Sequence, residues 1–427
     1  EGSGDYFNAL KIYNISLLFA PNSETLMLAY NNRSILFYKI EQYKACLRDI
    51  YACLKLGAGD LERRLHKRKE RCLKQLAKNE ETRTDQFFTF KSTMNSHIPC
   101  TTEDVGVTFD SVVPKVIAVN DISLGTLVAM ETAYVGLISY ELQLLTCYHC
   151  RRLSLNLMPC TNCCVALFCS EQCRKECMED VHRTECNFME YMDDAVIKPN
   201  SQLAFKAALK MKQHSSSWSD FIELSKNVGN ENLKPTSYKD VYNTNNKFSL
   251  LYFKEKSEPK YGPMFNFGYV CATYIQLMFT KPDFWPENLE EKQAAVDAFA
   301  RLMMKLFLHL DALKVSNCCE GMDKYVGAMY PTYAFCSFIG QLKHNCDANL
   351  LTVGLGNKIA VVAVKDIPEG SELTISYVYH RLRVYPPSCF TFLGSVAVCS
   401  RCKLGSRIRL FWDLSRSISL IAVYLQI

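Results

Sequence analysis

The sequence predicts an α+β protein of several domains, in which a β-rich domain is interrupted by a zinc module and by a helical insert. Three observations predict this architecture. Nine of the 21 cysteines lie between Cys147 and Cys186, residues 1–80 repeat a helical pattern, and short β-branched runs flank a long helical stretch. At 427 residues the chain is long enough for two or three domains with substantial cores.

The first region, residues 1–80, is predicted to be a helical repeat. GDYFNALKIYNISLLFAPNS and EQYKACLRDIYACLKLGAGD align with each other at an offset of about 37 residues, and LMLAYNNRSILFYKI lies between them. Each stretch places apolar residues at helical spacing before a turn. The pattern resembles tetratricopeptide repeats, helix pairs whose stacking buries what one pair cannot, with the first helix incomplete. A generic helical bundle is the alternative interpretation.

That resemblance implies a groove for peptides. One subclass of these repeats binds the carboxyl termini of heat-shock chaperones through a basic and amide clamp, and Asn32, Arg64 and Arg68 stand where that clamp would be. The alternative is that LERRLHKRKER is a solvated basic face.

Strands are predicted after a polar linker at residues 81–105. The runs VGVTFD, VPKVIAVNDI and LGTLVAMETAYV are β-branched, with turn signals at Gly125 and at Asn120-Asp121. Mostly helical sequence follows from about residue 198 to 315. Strand character returns in NKIAVVAVKDI and ELTISYVYH, which Pro368-Glu369-Gly370 separates as a turn.

Between these parts, CYHCRRLSLNLMPCTNCCVALFCSEQCRKECMEDVHRTEC has the ligand spacing of a two-zinc module. Each short pair can bind one tetrahedral Zn²⁺ from a single turn, and two pairs complete a structural site. Forty residues cannot build an adequate apolar core, so metal binding would supply the folding free energy. The four pairs are Cys147 and Cys150, Cys160 and Cys163, Cys169 and Cys173, and His182 and Cys186.

Two details of this module are left open by spacing. Cys164 could bind the metal in place of Cys163, and a disulfide cluster is the alternative to zinc. Ser170 is predicted to N-cap a helix that places His182 and Cys186 on one face.

The spacing resembles the MYND finger, down to Phe168-Cys169-Ser170 and the final His-x3-Cys. That resemblance implies interleaved pairs. One zinc would be held by Cys147, Cys150, Cys169 and Cys173, and the other by Cys160, Cys163, His182 and Cys186.

Two later motifs resemble those of the SET domain: Lys343-His344-Asn345-Cys346-Asp347-Ala348-Asn349 and Gly370-Ser371-Glu372-Leu373-Thr374-Ile375-Ser376-Tyr377. A SET domain split by a MYND finger and a helical insert is similar to the SET-and-MYND family, and its repeat-bearing subgroup in particular. The resemblance implies this layout: repeats 1–80, linker 81–105, SET amino-terminal half 106–146, MYND finger 147–186, helical insert 187–315, SET carboxy-terminal half 316–380, and a cysteine-containing post-SET segment and tail 381–427.

The family's chemistry implies methyl transfer from S-adenosylmethionine to a protein lysine. By position, Tyr377 would orient the lysine amine, His344 would hold the cofactor's adenine largely through its backbone, and Asn317 would contact the cofactor. An unperturbed lysine has a pKa near 10.4, so the site must favour the uncharged amine.

Several positions depart from the family pattern. Val113-Pro114 replaces a Gly-Arg pair that lets the backbone approach the cofactor. Lys343 replaces an asparagine and places a cation near a sulfonium, which is unfavourable unless the lysine points away. Ser395 replaces a channel aromatic, and the stretch around FCSFIGQ adds residues before His344, which predicts an altered loop.

A third zinc is implied after the SET domain, with Cys346, Cys399 and Cys402 as ligands. Ala397 stands at the family's remaining cysteine, and Cys389 could replace it from a distance. Three thiolates alone would make a weak or open site.

Two functions are therefore weighed: a lysine methyltransferase acting on a histone or another protein, and a degenerate scaffold acting as an adaptor or corepressor. Fold does not guarantee activity. In either case the MYND resemblance implies docking of proline-containing peptides.

Composition adds few limits. A net charge of +5 argues neither for nor against nucleic acid, but the zinc cluster lacks the basic helix of base-reading fingers, so direct nucleic-acid binding is not expected. No run reaches the roughly 18 apolar residues of a membrane span. Scattered cysteines favour a reducing compartment, and we expect the nucleus and cytoplasm.

Overall fold

This computed structural model describes residues 5–77, 90–108, 115–186, 199–227, 261–281, 283–309, 313–318, 329–345 and 347–377. Its architecture is mixed helix and sheet, as the sequence predicts. Within these ranges, none of the helices combines the length and the apolar character needed to cross a membrane. The helices are α1 (Tyr6–Leu18), α2 (Ser23–Lys39), α3 (Tyr43–Lys55), α4 (Glu62–Leu76), α5 (Glu171–Glu179), α6 (His182–Glu185), α7 (Pro199–Gln213), α8 (Trp218–Asn227), α9 (Tyr261–Met278) and α10 (Leu289–His309).

Four helices form the amino-terminal part, where the sequence predicts repeats. Asp5 and Asn22 cap α1 and α2 by accepting backbone N–H bonds, which satisfies donors that a helix start otherwise leaves open. α2 packs on α1 and α3, and α3 packs on α4. Their apolar faces close around Phe37, Ile50 and Leu65, all with 0 % exposure.

A buried ion pair joins these helices to the zinc module. Arg33 on α2 donates to Asp49 on α3 through two nitrogens, both at 2.7 Å, and to the backbone carbonyl of Leu157 at 2.8 Å. Asn156 donates to Asp49 at 3.0 Å. Since Leu157 and Asn156 lie between the cysteine pairs of the module, the helices and the module are held together by polar contacts in their common core.

Eight of the described strands form one sheet. Its order is β3-β11-β10-β7-β8-β4, with β12 pairing β10 and β9. Gly125 and Gly370 form the predicted turns with φ of 83° and 77°, which glycine adopts without steric cost. The strands are β1 (Val105–Thr108), β2 (Lys115–Ala118), β3 (Leu127–Thr132), β4 (Val135–Ile138), β5 (Met158–Pro159), β6 (Leu167–Phe168), β7 (Leu313–Cys318), β8 (Met329–Phe335), β9 (Lys343–His344), β10 (Leu350–Leu355), β11 (Lys358–Ala363) and β12 (Thr374–Ile375).

The β12 strand is threaded between two segments of the sheet. It runs parallel to β10, with Leu350 opposite Ile375, and parallel to β9, with Thr374 opposite Lys343. Asn349 fixes this crossing because its side chain accepts from the N–H of Thr374 at 2.8 Å and donates to the carbonyl of Glu372 at 2.9 Å. The two motifs found in the sequence are therefore in direct contact.

Helices α7 to α10 pack beside the sheet, in the region predicted to be a helical insert. Phe205 on α7 stacks on Tyr274 on α9 with ring centroids 4.1 Å apart, and Phe299 on α10 meets Phe205 edge-on at 6.2 Å. These rings are buried, and such aromatic pairs add to the free energy gained from area burial. β7 begins at Leu313, inside the range 187–315 predicted to be helical.

Part of the predicted linker 81–105 is packed on the sheet. The N–H of Thr102 donates to the Val128 carbonyl at 2.9 Å, and the N–H of Met130 donates to the Cys100 carbonyl at 2.8 Å. Ile98 has 1 % exposure and anchors the segment in the core. The polar composition of the segment concealed this apolar anchor.

The single helix predicted from Ser170 to Cys186 is wrong. Ser170 does cap α5 by accepting from the N–H of Cys173 at 3.1 Å, but α5 ends at Glu179. The backbone of Asp180 leaves the helical conformation (φ −97°, ψ −149°), and His182 begins the separate short helix α6. This break turns His182 toward the cysteines near Cys160.

Candidate active site and zinc centres

The structure gathers the eight predicted ligands into two groups of four. Within each group the ligand atoms all lie within 4.8 Å of one another. The groups are Cys147, Cys150, Cys169 and Cys173, and Cys160, Cys163, His182 and Cys186. This interleaved arrangement is the one that the family resemblance implies, and it takes Cys163 rather than Cys164.

The distances fit a tetrahedral metal. Zn–S bonds of about 2.3 Å at tetrahedral angles separate two sulfurs by about 3.8 Å. In the first group Cys150 Sγ lies 3.7 Å from Cys169 Sγ, which lies 3.6 Å from Cys173 Sγ. In the second group Cys160 Sγ lies 3.9 Å from Cys186 Sγ, and Cys163 Sγ lies 3.7 Å from His182 Nε2. Both donor sets therefore suit Zn²⁺.

The close approach of the thiols in the first group shifts their pKa values in opposite directions. Hydrogen bonding to Cys147 lowers the pKa of the Cys150 thiol to about 2. Hydrogen bonding to Cys150 raises the pKa of Cys147 far above its ordinary value. Zinc binds thiolates, so metal binding would release the protons that this group retains.

A buried polar cluster supports the histidine ligand. Glu185 Oε1 lies 3.6 Å from His182 Nδ1 and accepts from Tyr148 Oη at 2.7 Å. Lys206 on α7 donates to both Glu185 oxygens, at 2.7 and 2.8 Å. Burial alone raises the pKa of Glu185, but Lys206 and His182 together outweigh burial and hold the pKa at about 2. Such partners orient metal ligands, and sequence reasoning missed all three.

At the β12 crossing, Tyr377 and His344 contact each other. The N–H of Tyr377 donates to His344 Nδ1 at 3.0 Å, and the two ring centroids are 5.4 Å apart. The Tyr377 hydroxyl donates to the carbonyl of Leu342. His344 is buried, whereas Tyr377 is half-buried, so its hydroxyl is fixed by the backbone at the edge of the core. Asn317 lies on β7, opposite Gly354 of β10.

The unusual lysine of this motif is paired. Lys343 Nζ lies 2.6 Å from the Glu372 carboxylate, and the two side chains are 29 % and 35 % exposed. The carboxylate offsets the positive charge of the lysine.

The added stretch before His344 is part of the core. Phe338 and Ile339 are buried, and Ile339–Gln341 form a 3-10 helix. Its start is capped by Glu131 on β3, whose carboxylate accepts from backbone N–H groups of this turn. Burial raises the pKa of Glu131 to about 7, although these N–H groups oppose the shift. The acidic residue inside the apolar run LVAMETAY was the signal that sequence reasoning missed.

The residues of the predicted peptide clamp lie in the helical part at the amino terminus. Asn32 and Arg64 are exposed on α2 and α4. Arg68 instead donates to Asn31 at 3.2 Å and to Ser34, so it joins α4 to α2. Several positions lie outside the described residues: Val113, Pro114, Cys346, Cys389, Ser395, Ala397, Cys399 and Cys402.

Comparison with known proteins gives a consistent picture. A family model described as SET domain matches residues 115–378. The chain is 29 % identical over 206 residues to protein-lysine N-methyltransferase SMYD4 of Danio rerio, covering 43 % of this chain and 27 % of that protein. It is 25 % identical over 221 residues to histone-lysine N-methyltransferase SMYD3 of Homo sapiens, covering 52 % and 42 %. The alignments thus span less than half of either relative.

Proposed function

We propose a function from one premise: this chain belongs to the SET domain family, whose model it matches over more than half of its length. The proposed function is protein-lysine N-methyltransferase, with a lysine of a histone or another protein as substrate and S-adenosylmethionine as methyl donor. The observation that carries the proposal is the β12 crossing, which brings the Tyr377 hydroxyl and the Leu342 carbonyl together beside His344.

The residues at this crossing suit the methyl donor. S-adenosylmethionine, when bound, supplies an electrophilic methyl group next to a sulfonium cation. Two oxygen atoms, from Tyr377 and Leu342, meet here, and Glu372 offsets the charge of Lys343. An oxygen-rich site in which the nearby ammonium is paired is compatible with a cationic ligand.

Catalysis at such a site is mainly positioning. Because the Tyr377 hydroxyl donates a hydrogen bond to the Leu342 carbonyl, its oxygen keeps lone pairs that can accept from an amine N–H. That contact would orient the neutral lysine amine. The His344 ring accepts from the Tyr377 N–H and so sets the backbone from which the phenol extends.

Tyr377→Phe is expected to lower kcat for lysine methylation by about 100-fold or more, in the range lost when a contact that positions the reacting group is removed. The thermal midpoint should stay close to that of the wild type, because the substitution removes only one hydroxyl from a half-buried side chain. Mass spectrometry of methylated peptides measures the effect. Tyr51→Phe, at an exposed tyrosine on α3, is the matched control. Retained turnover in Tyr377→Phe would remove the hydroxyl from the mechanism.

Lys343→Asn is expected to tighten S-adenosylmethionine binding about threefold, a gain of about 0.7 kcal/mol. The substitution removes an ammonium and leaves the Glu372 carboxylate to attract the sulfonium, while partial exposure of both side chains screens the effect. Isothermal titration calorimetry measures the affinity, with exposed Lys358→Asn as the control. An unchanged affinity means that Lys343 faces away from the donor.

The finer assignments extend this proposal. We propose that residues 147–186 are a MYND finger with two zinc ions, and that α1 to α4 are tetratricopeptide-like repeats. Proline-containing peptides are the proposed ligands of the finger. Chaperone carboxyl termini are the proposed ligands of the repeats, through exposed Asn32 and Arg64. Because Arg68 is engaged by α2, this clamp would have fewer cations than the sequence suggests. Nucleus and cytoplasm remain the proposed location, and a third zinc after the SET domain remains a proposal.

A further inference from the structure

A buried carboxyl group lies at the start of the turn that precedes the crossing. Glu131 has 0 % exposure. Its Oε1 accepts from the N–H of Ser337 at 2.6 Å and of Phe338 at 3.0 Å, and its Oε2 accepts from the N–H of Ile339 at 2.8 Å. A buried carboxylate is costly unless its oxygens are satisfied. Here three consecutive backbone donors satisfy both oxygens.

The arrangement is a helix cap supplied from another part of the chain. The first N–H groups of a helix have no partner within it, and an acidic side chain there is favoured by the hydrogen bonds and by the helix dipole. Cys100 and Cys336 are the titratable groups that face Glu131, and burial raises the pKa of both thiols well above the ordinary value. These thiols remain neutral at physiological pH, so they add no charge beside Glu131.

The capped turn leads directly into the candidate active site. Leu342 follows the 3-10 helix Ile339–Gln341, and it has 0 % exposure. Its carbonyl accepts from the Tyr377 hydroxyl, and the next two residues form β9, which pairs with β12. A rotation of the turn would therefore move the atom that fixes Tyr377.

We propose that Glu131 is a positioning residue for Tyr377. Its carboxylate holds the turn Ser337–Gln341, the turn sets the direction of the Leu342 carbonyl, and that carbonyl orients the phenol. The assignment of Tyr377 to the reaction rests on the proposed function, whereas the mechanical link from Glu131 to Tyr377 can be tested without turnover.

The test places 3-fluorotyrosine at residue 377 and compares wild type with Glu131→Gln by fluorine NMR. Glutamine keeps one acceptor oxygen but turns an N–H₂ group toward backbone donors, so the cap is broken at nearly constant volume. We expect the resonance of residue 377 to shift or split, and amide exchange of residues 337–344 to rise at least tenfold by mass spectrometry. In active enzyme kcat should fall at least tenfold while the affinity for S-adenosylmethionine changes less than twofold.

Three controls make the result decisive. Glu369→Gln, at an exposed glutamate, should leave the resonance unchanged, and a probe at buried Tyr30 on α2 should not respond to Glu131→Gln. Should Glu131→Gln fail to fold, Glu131→Asp keeps the charge but is one methylene too short, and the resonance should shift there too. An unchanged resonance at residue 377 in the folded variant overturns the proposal. A wild type that binds no S-adenosylmethionine would overturn the proposed function instead, and the NMR comparison would still decide the link.

Discussion

Replacing Cys147 with serine is expected to remove one of two zinc ions per chain and to destabilise the zinc module. Cys147 has 0 % exposure and belongs to the first ligand group. Serine is a poor zinc ligand, and structural zinc sites supply about 10–16 kcal/mol of apparent binding free energy that is also folding free energy. Elemental analysis should fall from two zinc ions to about one, and circular dichroism should show a lower thermal midpoint.

Cys164→Ser is the matched control for this experiment. Cys164 adjoins the ligand Cys163 but belongs to neither ligand group. It should therefore retain both zinc ions and the wild-type thermal midpoint. Two zinc ions in Cys147→Ser would contradict the first group, and fewer than one zinc in the wild type would contradict the whole module.

Asp49→Ala is expected to destabilise the protein by about 3–5 kcal/mol, because it leaves the Arg33 guanidinium buried without its anion. The two side chains are 1 % and 2 % exposed. Burial raises the pKa of Asp49 even though Arg33 opposes the shift, which indicates how costly this charge is to desolvate. Urea unfolding followed by circular dichroism measures the loss. Asp60→Ala, at an exposed aspartate, should change stability by less than about 0.5 kcal/mol.

The double variant Arg33→Met with Asp49→Leu tests the reason for that loss. Replacing both charges with apolar groups of similar volume removes the unpaired ion, so stability should return most of the way toward wild type. A double variant as unstable as Asp49→Ala would show that the hydrogen bonds to Leu157 and Asn156, rather than the unpaired charge, account for the effect.

The sequence predicted best what is local. Ligand pairs such as Cys147 and Cys150 lie within a few residues of each other, so their spacing alone predicts them. The helical periodicity of apolar residues likewise predicts helices such as α2. The comparisons confirm the identification of the SET domain and its relation to the SET-and-MYND proteins. The break between α5 and α6 was missed because the helical pattern continues through Asp180, although the backbone there leaves the helical conformation.

Contacts between distant residues could not be predicted. Glu131 is separated from its turn by most of the SET domain, and its partners are backbone N–H groups, which leave no mark on the sequence. Arg33 likewise lies in an ordinary helical pattern in the sequence, and only the structure shows its contacts with Asp49 and Leu157. The stretch FCSFIGQ was expected to alter a loop; the structure shows that part of it is core, because Phe338 and Ile339 are buried.

The order of the strands along the chain also limits when the sheet can form during synthesis on the ribosome. β3 pairs with β11 and β4 pairs with β8, and both partner strands are made only after the zinc module and the helical insert. Amino-terminal parts generally fold first as a chain emerges. The helices α1 to α4 and the cysteine module can therefore form while β3 and β4 still lack their neighbours. Tyr377 follows β12 near the end of the described residues, so a nascent chain contains all eight predicted metal ligands well before it contains the candidate active site.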